Sequence, residues 1–228
     1  MKKMLLHTCC APCTLIPLST FMDEGYSVCA AFVNPNIHPL EEYERRHSLL
    51  VQYCGDVSVT VYEIPGFRED WEDTAGRLGG PYPLVKNDPL YDHYLEKRRA
   101  RCTLCYRLRF EETARYAAEC GFDSISTTLS ISPYQFTDLI CMELEKAASA
   151  HGLQALYVDF TRSYPEATRL SRQMGMYRQN YCGCRYSYEE ALIERSAQKA
   201  VRTSFAQAGP HAGKGTKSHM TSTTQAGS

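Results

Sequence analysis

The sequence lacks the features that define several specialised classes of protein. No uninterrupted apolar stretch is long enough to cross a membrane. The apolar residues 4–6 are interrupted at once by His7 and Thr8, so the hydrophobic segment of a secretory signal is missing. The sequence also lacks an excess of positive charge, because its 25 Lys and Arg residues are balanced by 26 Asp and Glu residues. This balance excludes a uniformly basic nucleic-acid-binding surface. We therefore expect a cytoplasmic protein without a membrane partner.

The composition is that of a globular protein with one folded domain. Hydrophobic residues make up 43% of the 228 residues and charged residues 22%. Apolar residues recur regularly as far as residue 196, after which Ser, Thr, Gly, Gln, Ala and Lys dominate. A segment with so few large apolar side chains cannot offset its chain entropy by burial. The sequence thus predicts a single catalytic domain over residues 1–196 and a disordered tail over residues 197–228.

Within the domain, short apolar runs alternate with amphipathic stretches. The runs predict strands over residues 4–6, 27–33, 57–64, 123–128 and 155–160. Helices are predicted over residues 15–24, 40–54, 67–78, 88–101, 103–120, 133–151, 166–175 and 188–195. This alternation indicates an α/β fold, a Rossmann-like parallel sheet flanked by helices on both faces. Ligands of such sheets bind beyond the carboxyl ends of the strands, here residues 7–10, 34–39 and 127–130.

Eleven cysteines are an unusual number for a protein of a reducing compartment, where clustered thiols indicate metal binding or redox chemistry. Seven of them form three motifs: Cys9-Cys10-Ala11-Pro12-Cys13, Cys102-Thr103-Leu104-Cys105 and Cys182-Gly183-Cys184. The other four are isolated and are expected to act as small core residues: Cys29, Cys54, Cys120 and Cys141.

The first two motifs together supply four thiols for a metal centre. Cys102 and Cys105 have the spacing of a ligand pair, and we expect them at the start of a helix, where the dipole stabilises thiolates. Adjacent Cys9 and Cys10 suit a polynuclear cluster, whose irons lie apart, better than one tetrahedral ion. Two plus two thiolates match a [4Fe–4S] cluster. Structural zinc and metal-free thiol chemistry remain alternatives.

The third motif, Cys182-Gly183-Cys184, allows three interpretations. The two thiols can close as a strained and easily reduced disulfide, which would make them a redox pair. They can instead bind a second metal together with Cys13, or they can simply be buried.

Five segments in the same order resemble one known family. LLHTCCAPC, NPNIHPLEEYERR, RCTLCYRLR, TTLSISPYQ and YRQNYCGCRYS are similar to the QueH-type epoxyqueuosine reductases, from about residue 5 to residue 187. The resemblance implies a fold similar to the adenine-nucleotide α-hydrolase and PP-loop group. It also implies a cobalamin-independent [4Fe–4S] enzyme that catalyses the last step of tRNA queuosine biosynthesis, the two-electron reduction of the epoxide of epoxyqueuosine at the wobble position.

The resemblance also assigns roles to the cysteines. It implies that Cys9, Cys10, Cys102 and Cys105 ligate the cluster and that Cys182 and Cys184 form a redox-active pair. It leaves open a second, mononuclear iron, for which Cys13 and the Cys182–Cys184 pair are the ligands. The implied partners are tRNA carrying epoxyqueuosine in the anticodon loop and an electron donor of unknown identity.

Basic and aromatic residues near the cysteine motifs are candidates for contact with the RNA. Arginines would neutralise phosphates, and tyrosines would stack on an unstacked base. The candidates are Arg98, Arg99, Arg101, Tyr106, Tyr181, Arg185 and Tyr186.

Three rival functions belong to other classes. An ATP-dependent tRNA-modifying enzyme of the PP-loop group needs a glycine- and serine-rich phosphate loop after the first strand, but this chain has a cysteine motif there that contains Pro12. A zinc-stabilised, non-catalytic RNA-binding module predicts a colourless protein. A general thiol oxidoreductase predicts activity without metal.

Overall fold

The structure is a computed structural model that describes residues 2–64 and 68–207. Five strands form one sheet: β1 (Lys3–Thr8), β2 (Ser27–Phe32), β3 (Val61–Glu63), β4 (Ser124–Thr127) and β5 (Gln154–Ala155). All four pairings are parallel, and the strand order is β3-β2-β1-β4-β5. The predicted α/β class with a parallel sheet is confirmed.

Seven α-helices surround or extend this sheet in the described part of the chain. They are α1 (Ala11–Asp23), α2 (Leu40–Asp56), α3 (Arg68–Asp73), α4 (Tyr91–Glu119), α5 (Thr137–Ala150), α6 (Tyr164–Gln173) and α7 (Arg185–Gln207). Short 3-10 turns lie at Gly76–Leu78, Thr128–Ile131 and Thr161–Ser163. Across residues 2–64 and 68–207, none of the helices combines the length and the apolar character needed to span a bilayer.

The central strand β1 is buried on both faces. Met4 and Leu6 point to one face, which packs against α1, α2 and α6, whereas Leu5 points to the face covered by α4 and α5. All three side chains are fully buried, and each stabilises the fold by about 1.5–3 kcal/mol. The continuous apolar sequence of β1 follows from this burial on both faces.

The covering helices have apolar residues at helical spacing. In α4 the buried positions Tyr106, Phe110, Ala114 and Ala117 recur every three or four residues and so form one stripe. The stripe packs on the face of Leu5. This packing sets the rotation of α4 and thereby the direction in which its cysteines point.

Several elements differ from the sequence prediction in their bounds. The two helices predicted over 88–101 and 103–120 form one helix, α4, since residues 91–119 contain neither Pro nor Gly to interrupt it. Strand β3 is shorter than residues 57–64, because α2 continues to Asp56 and Ser58 makes a turn with φ 58°. Strand β5 ends at Ala155 rather than residue 160. The predicted helix over 67–78 is α3 followed by a 3-10 turn, and residue 67 lies outside the described residues.

The end of the chain also differs from the prediction. Helix α7 begins at Arg185 rather than residue 188 and continues to Gln207, past the predicted domain boundary at residue 196. The remainder of the predicted tail, residues 208–228, lies outside the described residues.

Candidate functional site

The ends of three neighbouring strands meet at one edge of the sheet. The backbone N–H of Cys9, directly after β1, donates to Thr128 Oγ1 after β4 at 3.3 Å. Asn34, two residues after β2, donates from Nδ2 to the carbonyl of Thr8 at 2.9 Å. The segments predicted to carry the chemistry are therefore joined to one another by hydrogen bonds.

Cys9, Cys10 and Cys13 form a compact group of thiols at this edge, which we call the thiol trio. Their three sulfur atoms all lie within 4.8 Å of one another. Cys10 precedes the first residue of α1 in an extended conformation, and Pro12 suits the first helical turn. The turn between β1 and α1 thus brings Cys13 back beside the two adjacent cysteines, and the trio could bind a metal.

The thiols of the trio differ in how readily they ionise. Hydrogen bonds from Cys10 and Cys13 hold the pKa of Cys9 well below its usual value, and the charges of Arg109 and Arg46 act in the same direction. Burial raises the pKa of Cys10 to about 12. The Cys9 sulfur is therefore the first of the three to become a thiolate, the form that ligates metals.

A second group of thiols lies beside the trio. Cys102 and Cys105 occupy neighbouring turns of α4, and Cys182 and Cys184 lie in the segment just before α7. All four line a cavity of about 30 Å³. We call these four residues the thiol quartet.

The expectation that Cys102 and Cys105 start a helix is wrong. Both lie about three turns inside α4, so its N-terminal dipole does not act on them. Burial raises the pKa of each thiol, and the charge of Arg101 opposes this for Cys102 while that of Arg109 opposes it for Cys105. Burial also raises the pKa of Cys184 to about 12. In the absence of a cation, the thiols of Cys102, Cys105 and Cys184 are therefore largely protonated.

A larger cavity of about 350 Å³ opens next to both thiol groups. Cys9, Cys13 and Cys182 line it, so it reaches the trio and one member of the quartet. Its other walls combine tyrosines with amide and hydroxyl groups, among them Ser132, Tyr134, Gln135, Tyr164, Gln179, Asn180, Tyr181 and Ser187. Cys182, Gln135, Tyr134 and Ser187 line both cavities, which therefore share a wall.

The predicted ligand set takes two thiols from each group. Cys9 and Cys10 belong to the trio together with Cys13, whereas Cys102 and Cys105 belong to the quartet. Of the residues that the structure describes, only the trio brings three thiols within 4.8 Å of one another. The four isolated cysteines are less uniform than expected, because Cys54 is buried but Cys120 is exposed.

The arginines proposed as RNA contacts all pair with carboxylates. Arg99 bonds to Asp138, and Arg185 lies 2.7 Å from Glu72. Arg98 bonds to Glu194 at 2.5 Å. These pairs anchor Arg98, Arg99 and Arg185 to neighbouring elements, and their contact with RNA stays a prediction.

Arg101 is almost completely buried and is held from two sides. Its Nη2 bonds to Glu190 at 2.7 Å, and its Nη1 donates to the carbonyl of Gly79 at 2.9 Å. The Arg101–Glu190 pair therefore joins α4, α7 and the segment between α3 and α4.

Among the tyrosine candidates, only Tyr181 lines the larger cavity, and its hydroxyl donates to the carbonyl of His38 at 2.6 Å. Tyr106 is buried, with its hydroxyl donating to Gln135 Oε1 at 2.7 Å. Tyr186 donates to the carbonyl of Gly76 at 2.9 Å. Tyr106 and Tyr186 thus act as packed residues that anchor the site.

Gln179 was not predicted and contacts the trio directly. Its Nε2 lies 2.7 Å from Cys10 Sγ and 3.9 Å from Cys13 Sγ. Gln179 lies within the QNYCGC segment, but the sequence gives no periodic or spacing signal for an isolated glutamine.

Arg46 is a second residue whose role the sequence did not reveal. Its guanidinium bonds to Glu42 at 2.7 Å and to the carbonyl of Cys182 at 2.8 Å. An i,i+4 pair on a helix is usually solvated, but this one is buried beneath the segment that carries Cys182.

The comparisons with known proteins agree with these motifs. The family described as Epoxyqueuosine reductase QueH matches residues 4–190. A protein named epoxyqueuosine reductase QueH from Thermotoga maritima is 32% identical over 202 residues, which cover 88% of this chain and 95% of that protein. Proteins with the same name from Acinetobacter baylyi and Dehalococcoides mccartyi are 31% and 29% identical, covering 86% and 82% of this chain and 85% and 93% of their own lengths. The chain therefore belongs to the QueH family of epoxyqueuosine reductases.

Proposed function

We propose that this protein reduces the epoxide of epoxyqueuosine at the wobble position of tRNA to the alkene of queuosine. The reaction consumes two electrons and two protons, breaks both C–O bonds of the epoxide and releases water. Family membership supports the proposal. The structural observation that carries it is the placement of six thiols around two adjoining cavities at the carboxyl edge of the sheet, with Cys10 beside them in the trio.

We propose a [4Fe–4S] cluster as the cofactor, with Cys9, Cys10, Cys102 and Cys105 as its ligands. The donor set fits, because it consists of thiols and includes one, Cys9, that ionises readily. Two buried N–H donors without hydrogen-bond partners, Trp71 Nε1 and Arg109 Nη1, add positive potential that suits an anionic sulfur centre. When bound, such a cluster supplies electrons one at a time.

Cys182 and Cys184 are proposed to complete the reduction. Oxidation of two thiols to a disulfide releases two electrons and two protons, which balances the reduction of one epoxide. The alternative is that the pair holds a second, mononuclear iron together with Cys13. Cys182 and Cys13 line the larger cavity, whereas Cys184 lines only the smaller one. In both roles, Cys182 would act on a substrate bound in the larger cavity, which it lines.

The larger cavity is proposed to receive the modified base. Its volume of about 350 Å³ lies in the range of small-molecule sites. The side chain of Tyr134 is 70% exposed and makes an edge contact with Tyr164, so it is free to stack on a base at the cavity. The amides of Gln179 and Asn180 can bond to the polar edge of that base. An anticodon-loop nucleotide enters such a cavity more cheaply than a duplex base.

A reducing compartment suits this chemistry. All eleven cysteines are free thiols in the structure, and we propose a cytoplasmic location on that ground. The electron donor is not identified, so a test of the function uses a chemical reductant.

The test is a metal analysis followed by a turnover assay on anaerobically purified protein. We expect about four iron and four sulfide per chain with a broad brown absorption. Iron in excess of sulfide would indicate the mononuclear site. The loaded protein should convert epoxyqueuosine in tRNA to queuosine with dithionite, as measured by mass spectrometry of nucleoside digests.

Two serine variants make this test specific. Cys105→Ser should lose iron and turnover, whereas Cys29→Ser, at a half-buried strand position outside both thiol groups, should retain them. One zinc per chain with neither sulfide nor colour after anaerobic reconstitution would refute the reductase and favour the RNA-binding module. Full turnover by metal-free protein would favour the thiol oxidoreductase.

A further inference from the structure

Trp71 is the only tryptophan of the chain, and its polar atom is unsatisfied. The side chain is fully buried and packs in a small cluster with Ala75, Cys105 and Cys184. Within residues 2–64 and 68–207, its indole Nε1 has no hydrogen-bond partner. A buried indole N–H normally finds an acceptor, and leaving one unpaired destabilises the fold. The unpaired group therefore suggests an acceptor that only the loaded protein provides.

The surroundings identify sulfur as that acceptor. Trp71 lines the small cavity together with the thiol quartet. Of the quartet, only Cys105 and Cys184 belong to the same buried cluster as Trp71. The acceptors next to the indole ring are therefore the sulfurs of these two cysteines, and Cys105 is the one proposed as a cluster ligand.

A second buried donor lies near Cys105 on α4. Arg109 uses Nη2 to bond to Asn34 Oδ1 at 2.6 Å and Nε to bond to the carbonyl of Val33 at 3.3 Å. Its remaining Nη1 is buried and has no hydrogen-bond partner among the described residues. Arg109 follows Cys105 by one turn of α4, so two buried donors from different elements lie near this residue, as expected if its sulfur carries negative charge in the working protein.

A neutral thiol is a weak acceptor, whereas a metal-bound thiolate is a strong one. Hydrogen bonds to the ligand sulfurs stabilise the more negative, reduced state of an iron–sulfur centre and so raise its reduction potential. Trp71 can make such a bond without any change of charge at the site.

We propose that Trp71 is a positioning residue whose indole N–H donates to the metal-bound thiolate of Cys105 and raises the reduction potential of the centre. The inference rests on the proposed iron–sulfur function but goes beyond it, because it assigns control of the potential to a residue outside the cysteine motifs.

The decisive variant is Trp71→Phe, which keeps a buried aromatic ring and removes the N–H. Iron and sulfide contents should match those of the wild-type protein. A redox titration monitored by electron paramagnetic resonance should give a more negative midpoint potential. A tenfold fall in the equilibrium constant for one-electron reduction corresponds to a shift of about 59 mV.

Leu108→Ala is the matched control for a purely structural role. Leu108 packs against the same cluster but offers no donor, so this variant should lose stability without a shift in potential. If both variants shift the potential equally, or if Trp71→Phe titrates like the wild type, the inference is wrong.

A measurement on the unmutated protein covers the case in which Trp71→Phe does not fold. Labelling the single indole with ¹⁵N marks one N–H in the whole chain. In the reduced loaded protein, hyperfine coupling of the centre to this nitrogen and its exchangeable proton would support the bond, and its absence would overturn it. Wild-type protein that contains no iron or sulfide would instead refute the proposed function, which the metal analysis establishes first.

Discussion

At the scale of single residues, Arg46 connects the sheet-covering helices to the segment that carries Cys182. Its side chain is about 1% exposed and bonds to Glu42 and to the carbonyls of Tyr181 and Cys182. Glu42 in turn accepts a bond from the Tyr177 hydroxyl at 2.8 Å. One buried ion pair thus holds both ends of the segment from residue 177 to residue 182.

We expect Arg46→Met to destabilise the protein by about 3–5 kcal/mol, because it leaves the buried Glu42 carboxylate without its counter-charge. Chemical denaturation at pH 7 measures the change. Arg45→Met is the matched control, since Arg45 is exposed and contacts the Tyr177 ring at 4.7 Å in a cation–π interaction, and its loss should cost about 0.5–1 kcal/mol. Equal losses in the two variants would contradict the role given to the buried pair.

The lowered pKa of Glu143 predicts that this residue contributes to the stability of the fold in a pH-dependent way. Burial by itself would raise the pKa of this carboxyl, but hydrogen bonds from Arg107 and Lys146 outweigh that effect and lower the pKa below its ordinary value. The carboxylate therefore stabilises the fold at pH values above the ordinary carboxyl pKa. This contribution is lost as the pH falls through the lowered pKa of the folded state.

Glu143→Gln should accordingly cost about 1–3 kcal/mol at pH 7, and the difference from the wild type should shrink below about pH 4. Denaturant titrations across that pH range test this expectation. Glu112→Gln removes a surface pair with Arg115 on the same helix α4 and should change stability by less than about 1 kcal/mol at every pH. A pH-independent loss for Glu143→Gln would show that its charge is not the cause.

At the scale of elements, the sequence predicted the strands and helices wherever one physical signal dominated. The apolar run of β1 and the alternation of strands with helices follow from burial on both faces of a parallel sheet. The predicted break between two helices at residue 102 is wrong. The prediction followed from the cysteine spacing, which suggested a helix start, but no capping residue or helix breaker supports one there. The ends of β3 and β5 depend on the turn at Ser58 and on tertiary hydrogen bonds, which residue patterns do not reveal.

The candidate site was predictable to the extent that it consists of spaced cysteines. The motifs located all seven clustered thiols, but spacing alone did not show that Cys13 joins Cys9 and Cys10 or that Cys182 lies between two cavities. Gln179 and Trp71 each contribute one side chain from a segment without a periodic pattern. Their contribution depends on long-range packing, which a single sequence does not encode in any local signal.

Gly183 determines the conformation of the element that joins Cys182 to Cys184. Its φ is 145°, a value that favours glycine, and an added Cβ would lie 3.0 Å from Ile37 Cγ1 and 3.1 Å from Asn36 Nδ2. The carbonyl of Gly183 also accepts from the His38 N–H at 2.9 Å. The backbone of residues 182–184 therefore has little conformational freedom.

Gly183→Ala should destabilise the protein by about 1–3 kcal/mol and lower its iron content, because the strain displaces the flanking thiols. Thermal unfolding and iron analysis measure both effects. Gly55→Ala is the control, since nothing lies within 4 Å of its added Cβ and its helical position makes alanine neutral or stabilising by up to about 1 kcal/mol. Normal iron content in Gly183→Ala would contradict the link between this conformation and the site.

At the scale of the whole molecule, the site joins parts of the chain that are far apart in sequence. The trio comes from residues 9–13, and the quartet comes from α4 and from the segment before α7. The walls of the two cavities add residues from the turns after β4 and from α6. A ligand that binds several of these thiols therefore cross-links segments that fold onto opposite faces of the sheet.

Loading the site should consequently raise the unfolding temperature of the entire protein in one cooperative transition. A ligand present at a hundredfold excess over its dissociation constant stabilises the native state by about 2.7 kcal/mol, which corresponds to about 5–10 °C for a chain of this size. Calorimetry of the loaded protein, and of the same protein after anaerobic iron removal, measures this difference. Cys141→Ser, outside both thiol groups on α5, should keep the full shift, whereas Cys102→Ser should lose most of it. Equal unfolding temperatures for the loaded and iron-free wild type would show that the thiols do not link these segments through a bound metal centre.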